Sequence, residues 1–172
     1  MTMNNNDILV RLRYALDIKD AEMVEIFDLG GLKTTIEETQ NMLAKLNNQI
    51  ESDDFQENEY EERCDNYMLE SFLNGLIVKN RGKQDAKPGD SRKQEQMIKS
   101  DQSVNNVMLK KVKIALSLTS DDILDILDET GVTISKSELS AVLRKEGHRN
   151  YKVCGDRYAR NFLKGLALRY RA

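Results

Sequence analysis

The sequence predicts an all-α protein of two homologous four-helix units in tandem, packed on each other as an intrachain pseudo-dimer. Three observations carry that expectation. Residues 5–31 return as residues 105–131 at a constant offset, with eight identities: Asn5, Asn6, Leu9, Ala15, Leu16, Ile26, Asp28 and Gly31. Farther along, Cys64, Phe72, Leu73, Gly75 and Leu76 return as Cys154, Phe162, Leu163, Gly165 and Leu166. Within each copy the apolar residues recur at helical spacing. Self-similarity of this kind marks one supersecondary unit used again.

Helix one carries apolar residues at 8, 9, 12, 15 and 16, repeated at 108, 109, 112, 115 and 116, and an asparagine before it suits an N-cap. Helix two starts near Asp20 or Ser120 and packs through Met23, Val24, Ile26 and Phe27, or Ile123, Leu124, Ile126 and Leu127. Gly31 and Gly131 end it, since glycine reaches left-handed backbone without a Cβ clash. Helix three opens with Thr35-x-x-Glu38 and Ser135-x-x-Glu138, the pattern of a capping box in both copies. Helix four carries Met68, Leu69, Phe72, Leu73 and Leu76, matched by Tyr158, Ala159, Phe162, Leu163 and Leu166. Gly75 and Gly165 lie inside it, where glycine costs about 1 kcal/mol relative to alanine. Their retention in both copies predicts a helix backbone that approaches too closely for a Cβ.

The repeat boundaries follow. The first unit spans residues 4–81, the linker 82–103 and the second unit 104–172. The linker holds the chain's one proline, Pro88, among polar residues and is expected to be partly disordered. The offset falls from 100 to 90 between the third and fourth helices, so the first copy has ten extra residues, in an acidic insert at about 47–62. Units of about 70 residues sit near the lower limit for independent stability. They are therefore expected to pack about a pseudo-twofold axis.

Composition narrows the function classes. No apolar run approaches the length of a membrane span, and residues 1–7 lack the basic and apolar regions of a signal peptide. The expectation is a cytoplasmic protein with two cysteines that need not pair. The net charge of −3 is divided: residues 1–90 hold 10 Lys+Arg against 19 Asp+Glu, and residues 91–172 hold 16 against 10. Such a division suits nucleic-acid binding by the second half, attraction between halves, or merely two solvated surfaces.

Candidate chemistry is sparse. His148 is the only histidine, lies among basic residues and has no equivalent in the first copy. Cys64 and Cys154 occupy equivalent repeat positions rather than metal-ligand spacing, which reads as buried packing. No phosphate loop, dinucleotide fingerprint, HExxH or nucleophile elbow is present. No catalytic residue, metal, cofactor or small-molecule ligand is therefore expected, and no membrane partner. The seven carboxylates of the insert lack calcium-loop order and read as a solvated extension, or as an internal polyanion mimic. The candidate interaction surface is basic: Lys110, Lys111 and Lys113 on helix one of the second copy, and Arg157, Arg160 and Lys164 on its helix four. The step at Gly131 matches a helix-turn-helix in size, but the helix after it is not strongly basic.

Several segments together resemble the bacterial YehS-like family, a tandem of a small domain of unknown function. They are Asn5–Leu9 through Leu16, Ser71–Ile77, Arg81-Gly82-Lys83, Asp121–Leu124, and Cys154-Gly155-Asp156 before Phe162–Ala167. The resemblance covers essentially the whole chain and implies no activity, cofactor or catalytic residue. The leading expectation is a non-enzymatic helical interaction module that binds a protein partner or itself. The alternative is a nucleic-acid-binding regulator using the basic second repeat.

Overall fold

A computed structural model of the chain describes residues 3–44, 60–81 and 97–171. The first copy folds as α1 (Asn5–Leu16), α2 (Asp20–Leu29), α3 (Ile36–Leu43) and α4 (Asn66–Arg81). A 3₁₀ turn at Asp101–Ser103 leads into α5 (Val104–Ala115), α6 (Ser120–Glu129), α7 (Lys136–Leu143) and α8 (Asp156–Tyr170). The expected all-α pair of four-helix units is what forms. Residues 82–96 of the linker, and the insert as far as residue 59, lie outside the described residues.

Local chemistry sets the helix ends. Asn4 is the N-cap of α1: its Oδ1 accepts from the Asp7 N–H at 2.9 Å, and Asp7 Oδ2 accepts from the Asn4 N–H at 3.1 Å. Asn5 and Asn6 therefore sit inside the helix. The entry to α5 lacks this device, and Ser103 makes no side-chain cap bond. Helix two ends as expected, with φ of 95° at Gly31 and 87° at Gly131. The Leu32 N–H bonds to Phe27 O and the Val132 N–H to Leu127 O, both at the six-residue closure of a Schellman motif. Helix one ends the same way without glycine, at Asp17 (φ 51°) and Ser117 (φ 55°).

The capping box is complete at Thr35, with bonds of 3.0 and 2.9 Å to and from Glu38. At Ser135 the expectation needs correction. Its hydroxyl accepts from the Glu138 N–H at 3.1 Å, but no return bond forms, and Glu138 pairs with Lys152 at 3.5 Å. The first copy has the acidic Glu62 at the repeat position of Lys152, so no such cation competes for Glu38.

The copies interlock. Helix four of each copy packs between helix two of its own copy and helix one of the other: α4 against α2 and α5, α8 against α6 and α1. This reciprocity defines the pseudo-twofold axis. One buried cluster runs through both copies and includes Leu9, Phe27, Leu69 and Phe72 with Met108, Ile126, Phe162 and Leu166. Full burial of each such side chain contributes about 1.5–3 kcal/mol. Phe72 meets Phe27 with ring centroids 5.2 Å apart.

The helical glycines mark the crossings, as expected. A Cβ on Gly75 would lie 1.7 Å from the Ile26 carbonyl oxygen, and one on Gly30 would lie 1.7 Å from that of Ser71. The α2–α4 crossing is thus backbone on backbone from both sides. At Gly165 a Cβ would meet Ile126 Cγ2 at 2.5 Å and its carbonyl oxygen at 2.6 Å. Thr130 stands where Gly30 does, so the α6–α8 crossing is the looser one.

Candidate functional site

The six basic residues expected to form one surface divide among three environments. Lys111 does not belong to a surface at all. Its side chain is 3% exposed and its Nζ lies 3.2 Å from Glu70 Oε2, itself fully buried. Lys111 also donates to Asn74 Oδ1. Helix one of the second copy turns this position towards α4 of the first, and the lysine follows. Glu70 completes its shell by accepting from the Met97 and Ile98 backbone N–H groups, the latter at 2.8 Å. The last linker residues are therefore tied to the seam between copies. Sequence reading overlooked Glu70 and Asn74. The available signal was their spacing of four within an apolar helix, which puts both on one face.

Lys110 and Lys113 are half-buried, and Lys110 lines a cleft with Arg144 and Lys145 at the end of α7. The α8 residues stay outward. Arg157 and Lys164 are exposed, and Arg160 is half-buried. Helical spacing puts Arg157, Lys164, Leu168 and Arg171 on one face. At the end of that face the Arg171 guanidinium stacks 4.2 Å from the Tyr14 ring centre, donates to Tyr14 O at 3.0 Å and pairs with Asp17 at 3.4 Å. Tyr14 is 60% exposed and Leu168 47%.

The paired cysteines are structural. Each is buried at the start of helix four, and burial pushes each thiol up to about 12. What holds their backbone is an asparagine that sequence reading had treated as a repeat marker and as an N-cap candidate. Asn6 Nδ2 donates to Met42 O and Glu62 O at 2.9 and 2.8 Å, and its Oδ1 accepts from the Cys64 N–H at 2.9 Å. Asn106 repeats this with Val142 O, Lys152 O and the Cys154 N–H at 2.9, 2.8 and 2.8 Å. One buried amide thus ties helix one, the end of helix three and the start of helix four together. It spans the point where the offset changes and accounts for the return of the asparagine; the cysteine contributes its backbone N–H to the clamp and its buried side chain to the core.

His148 lies exposed in the loop after α7, its Nδ1 accepting from the Asn150 N–H at 3.1 Å. Among the described residues no three His, Cys, Asp or Glu side chains are grouped to hold a metal ion, and no helix is long and apolar enough to cross a membrane.

The comparisons with known proteins agree with the tandem. A family model described as a protein of unknown function (DUF1456) matches residues 5–82 and again 105–172. The chain is similar to the uncharacterized protein YehS of Escherichia coli (strain K12), 39% identical over 97% of this chain and 96% of that one. No solved structure matches significantly.

Proposed function

We propose, for a chain that belongs to the DUF1456 family of proteins of unknown function, a non-enzymatic binding module whose contact face is the outer side of α8. Its partner is an acidic protein surface. One observation carries the reading: α8 aligns Arg157, Lys164, Leu168 and Arg171 on one face, with Tyr14 beneath Arg171. Arg157 and Lys164 meet no carboxylate among the described residues. Arginine and aromatic residues beside exposed apolar area are the composition of interface anchors. The acidic first half of a second copy is one surface of suitable charge, so self-association is included. The setting is cytoplasmic, a reading supported by two buried, unpaired thiols.

Nucleic acid is the weaker reading. Recognition by α7 would need free charge along it, yet Lys136 pairs with Asp121 at 3.2 Å and Glu138 with Lys152 at 3.5 Å. One face of the exposed Tyr14 ring is already taken by the Arg171 guanidinium, which leaves less of it for base stacking.

Light scattering across protein concentration and affinity capture after nuclease treatment test the proposal, with Arg157→Glu/Lys164→Glu as the comparison. The expected result is self-association, or an acidic protein retained by the parent chain and lost by the variant. A monomer at every concentration that retains the same proteins in both forms overturns it. Duplex DNA affinity falling steeply between about 50 and 200 mM salt decides for the nucleic-acid reading instead.

A further inference from the structure

The segment that leads into the second copy is held mainly by side chains. Among the described residues no backbone-to-backbone hydrogen bond holds Met97, Ile98 or Lys99. The first two amides are instead both accepted by one side chain, the Glu70 carboxylate, the Ile98 N–H at 2.8 Å. One helical turn back along α4, Asn66 Nδ2 donates to Asp101 Oδ1 at 3.0 Å. Between these points the Ser100 hydroxyl donates to Glu146, in the loop after α7, at 3.3 Å. Residues 97–101 are thus a strap fastened to α4 of the first copy at Glu70 and Asn66, and to the second copy at Glu146.

The fastenings are unequal. Those at Asn66 and Glu146 are exposed, so water readily replaces either bond. Glu70 is fully buried, and its bonds to the two amides are charge-assisted and correspondingly strong. The same carboxylate pairs with Lys111 at 3.2 Å, so one group serves both the strap and the seam between copies. Ile98 adds a partly buried side chain packed on the core. Lifting the strap therefore uncovers the carboxylate it is bonded to. It also withdraws Met97 and Lys99 from the wall of the cleft beside Lys110. The arrangement belongs to this seam alone, because Arg160 stands at the repeat position of Glu70 and has no acceptor for an amide.

We propose that residues 97–100 are a clasp that opens as a unit while the helices stay docked, pivoting on the 3₁₀ turn at Asp101–Ser103. Opening admits water to the Glu70–Lys111 pair and widens the cleft in one motion. A segment held by one buried group and no backbone ladder opens at lower free energy than the helices it crosses. Release of the clasp thereby couples the shape of the cleft to the joint between copies. This device is independent of the α8 face.

The test is amide hydrogen exchange of the full chain, followed residue by residue by NMR at constant pH. In the parent the Met97 and Ile98 amides are expected to be protected, yet to exchange faster than the central amides of α4 and α5. Two neutral pairs of substitutions separate the clasp from the charge, since neither leaves a buried ion unpaired. Glu70→Leu/Lys111→Met removes both acceptor oxygens, and the two strap amides should exchange about a hundredfold faster relative to those of α4 and α5. Glu70→Gln/Lys111→Met keeps one acceptor oxygen, and the gain should be about tenfold, one hydrogen bond lost instead of two. Should the leucine variant fail to fold, the parent and the glutamine variant still decide. Strap amides unprotected in the parent, exchange no faster than that of α4 and α5, or protection unchanged in the folded variants would each overturn the proposal.

Discussion

The two seams that join the copies occupy symmetry-related places and have opposite chemistry. Where α4 meets α5, Glu70 and Asn74 enclose Lys111 in a buried, hydrogen-bonded cluster. Where α8 meets α1, the same repeat positions hold Arg160, Lys164 and Arg11, half-buried or exposed. The helix crossings stay alike at both places, with Gly75 against Ile26 and Gly165 against Ile126. Duplication therefore preserved what backbone approach demands and released what side-chain charge allows. One seam became a locked joint, and the other became an outward basic stripe.

The largest test of that contrast breaks the locked joint. Lys111→Met leaves Glu70 buried without its counter-ion and is expected to destabilise the fold by about 3–5 kcal/mol in urea titration. Adding Glu70→Gln keeps an acceptor for the Met97 and Ile98 amides and should recover most of the loss. At the other seam, Arg11→Met should cost less than about 1 kcal/mol. Equal losses at both seams would contradict the contrast.

Gly75→Ala comes next, at or beyond the upper end of the usual 1–3 kcal/mol for overpacking (about 3 kcal/mol), because the new methyl meets a carbonyl oxygen at 1.7 Å. Gly165→Ala should cost less, since the Ile126 carbonyl oxygen lies 2.6 Å from the new methyl rather than 1.7 Å and the other obstacle, the Ile126 side chain at 2.5 Å, can turn. Thermal unfolding of both variants, compared with the parent, checks the order. A smaller change is a gain: Ser117→Gly relieves a left-handed non-glycine residue and should stabilise by about 0.5 kcal/mol. A loss there would mean that Ser117 makes contacts that outweigh its backbone strain.

The thiols make stability depend on pH only in the alkaline range. The native chain holds their protons up to about 12, whereas the unfolded chain releases them from an ordinary value of 9.0. Stability should therefore fall as pH rises between these values, and Cys64→Ala/Cys154→Ala should flatten that slope. An unchanged slope would place the titration elsewhere.

Much of the fold is legible in the sequence because local rules govern it. Helix periodicity, Gly31 and Gly131 at left-handed turns, and the Thr35 box are all short-range statements. The identity of each helix's neighbours is not. Lys111 reads as one more surface lysine until α4 of the other copy is placed against it. The half-formed cap at Ser135 likewise depends on Lys152, which arrives from beyond α7. The asparagine clamp was visible only as two identities, because its partners Met42, Glu62 and Cys64 lie far along the chain. Of the candidate surface, the outward α8 residues were readable from spacing. The cleft beside Lys110 was not, since Arg144, Lys145 and Tyr151, which line it too, come from other parts of the chain.

The central claim is that each copy completes its core with helix one of the other. Separate expression of residues 1–81 and 97–172, followed by sedimentation and circular dichroism, tests it most directly. Neither half is expected to be a folded monomer: each is unfolded or forms a dimer with itself, and mixing the two yields a folded one-to-one complex. A single half that is monomeric and unfolds cooperatively would contradict the account.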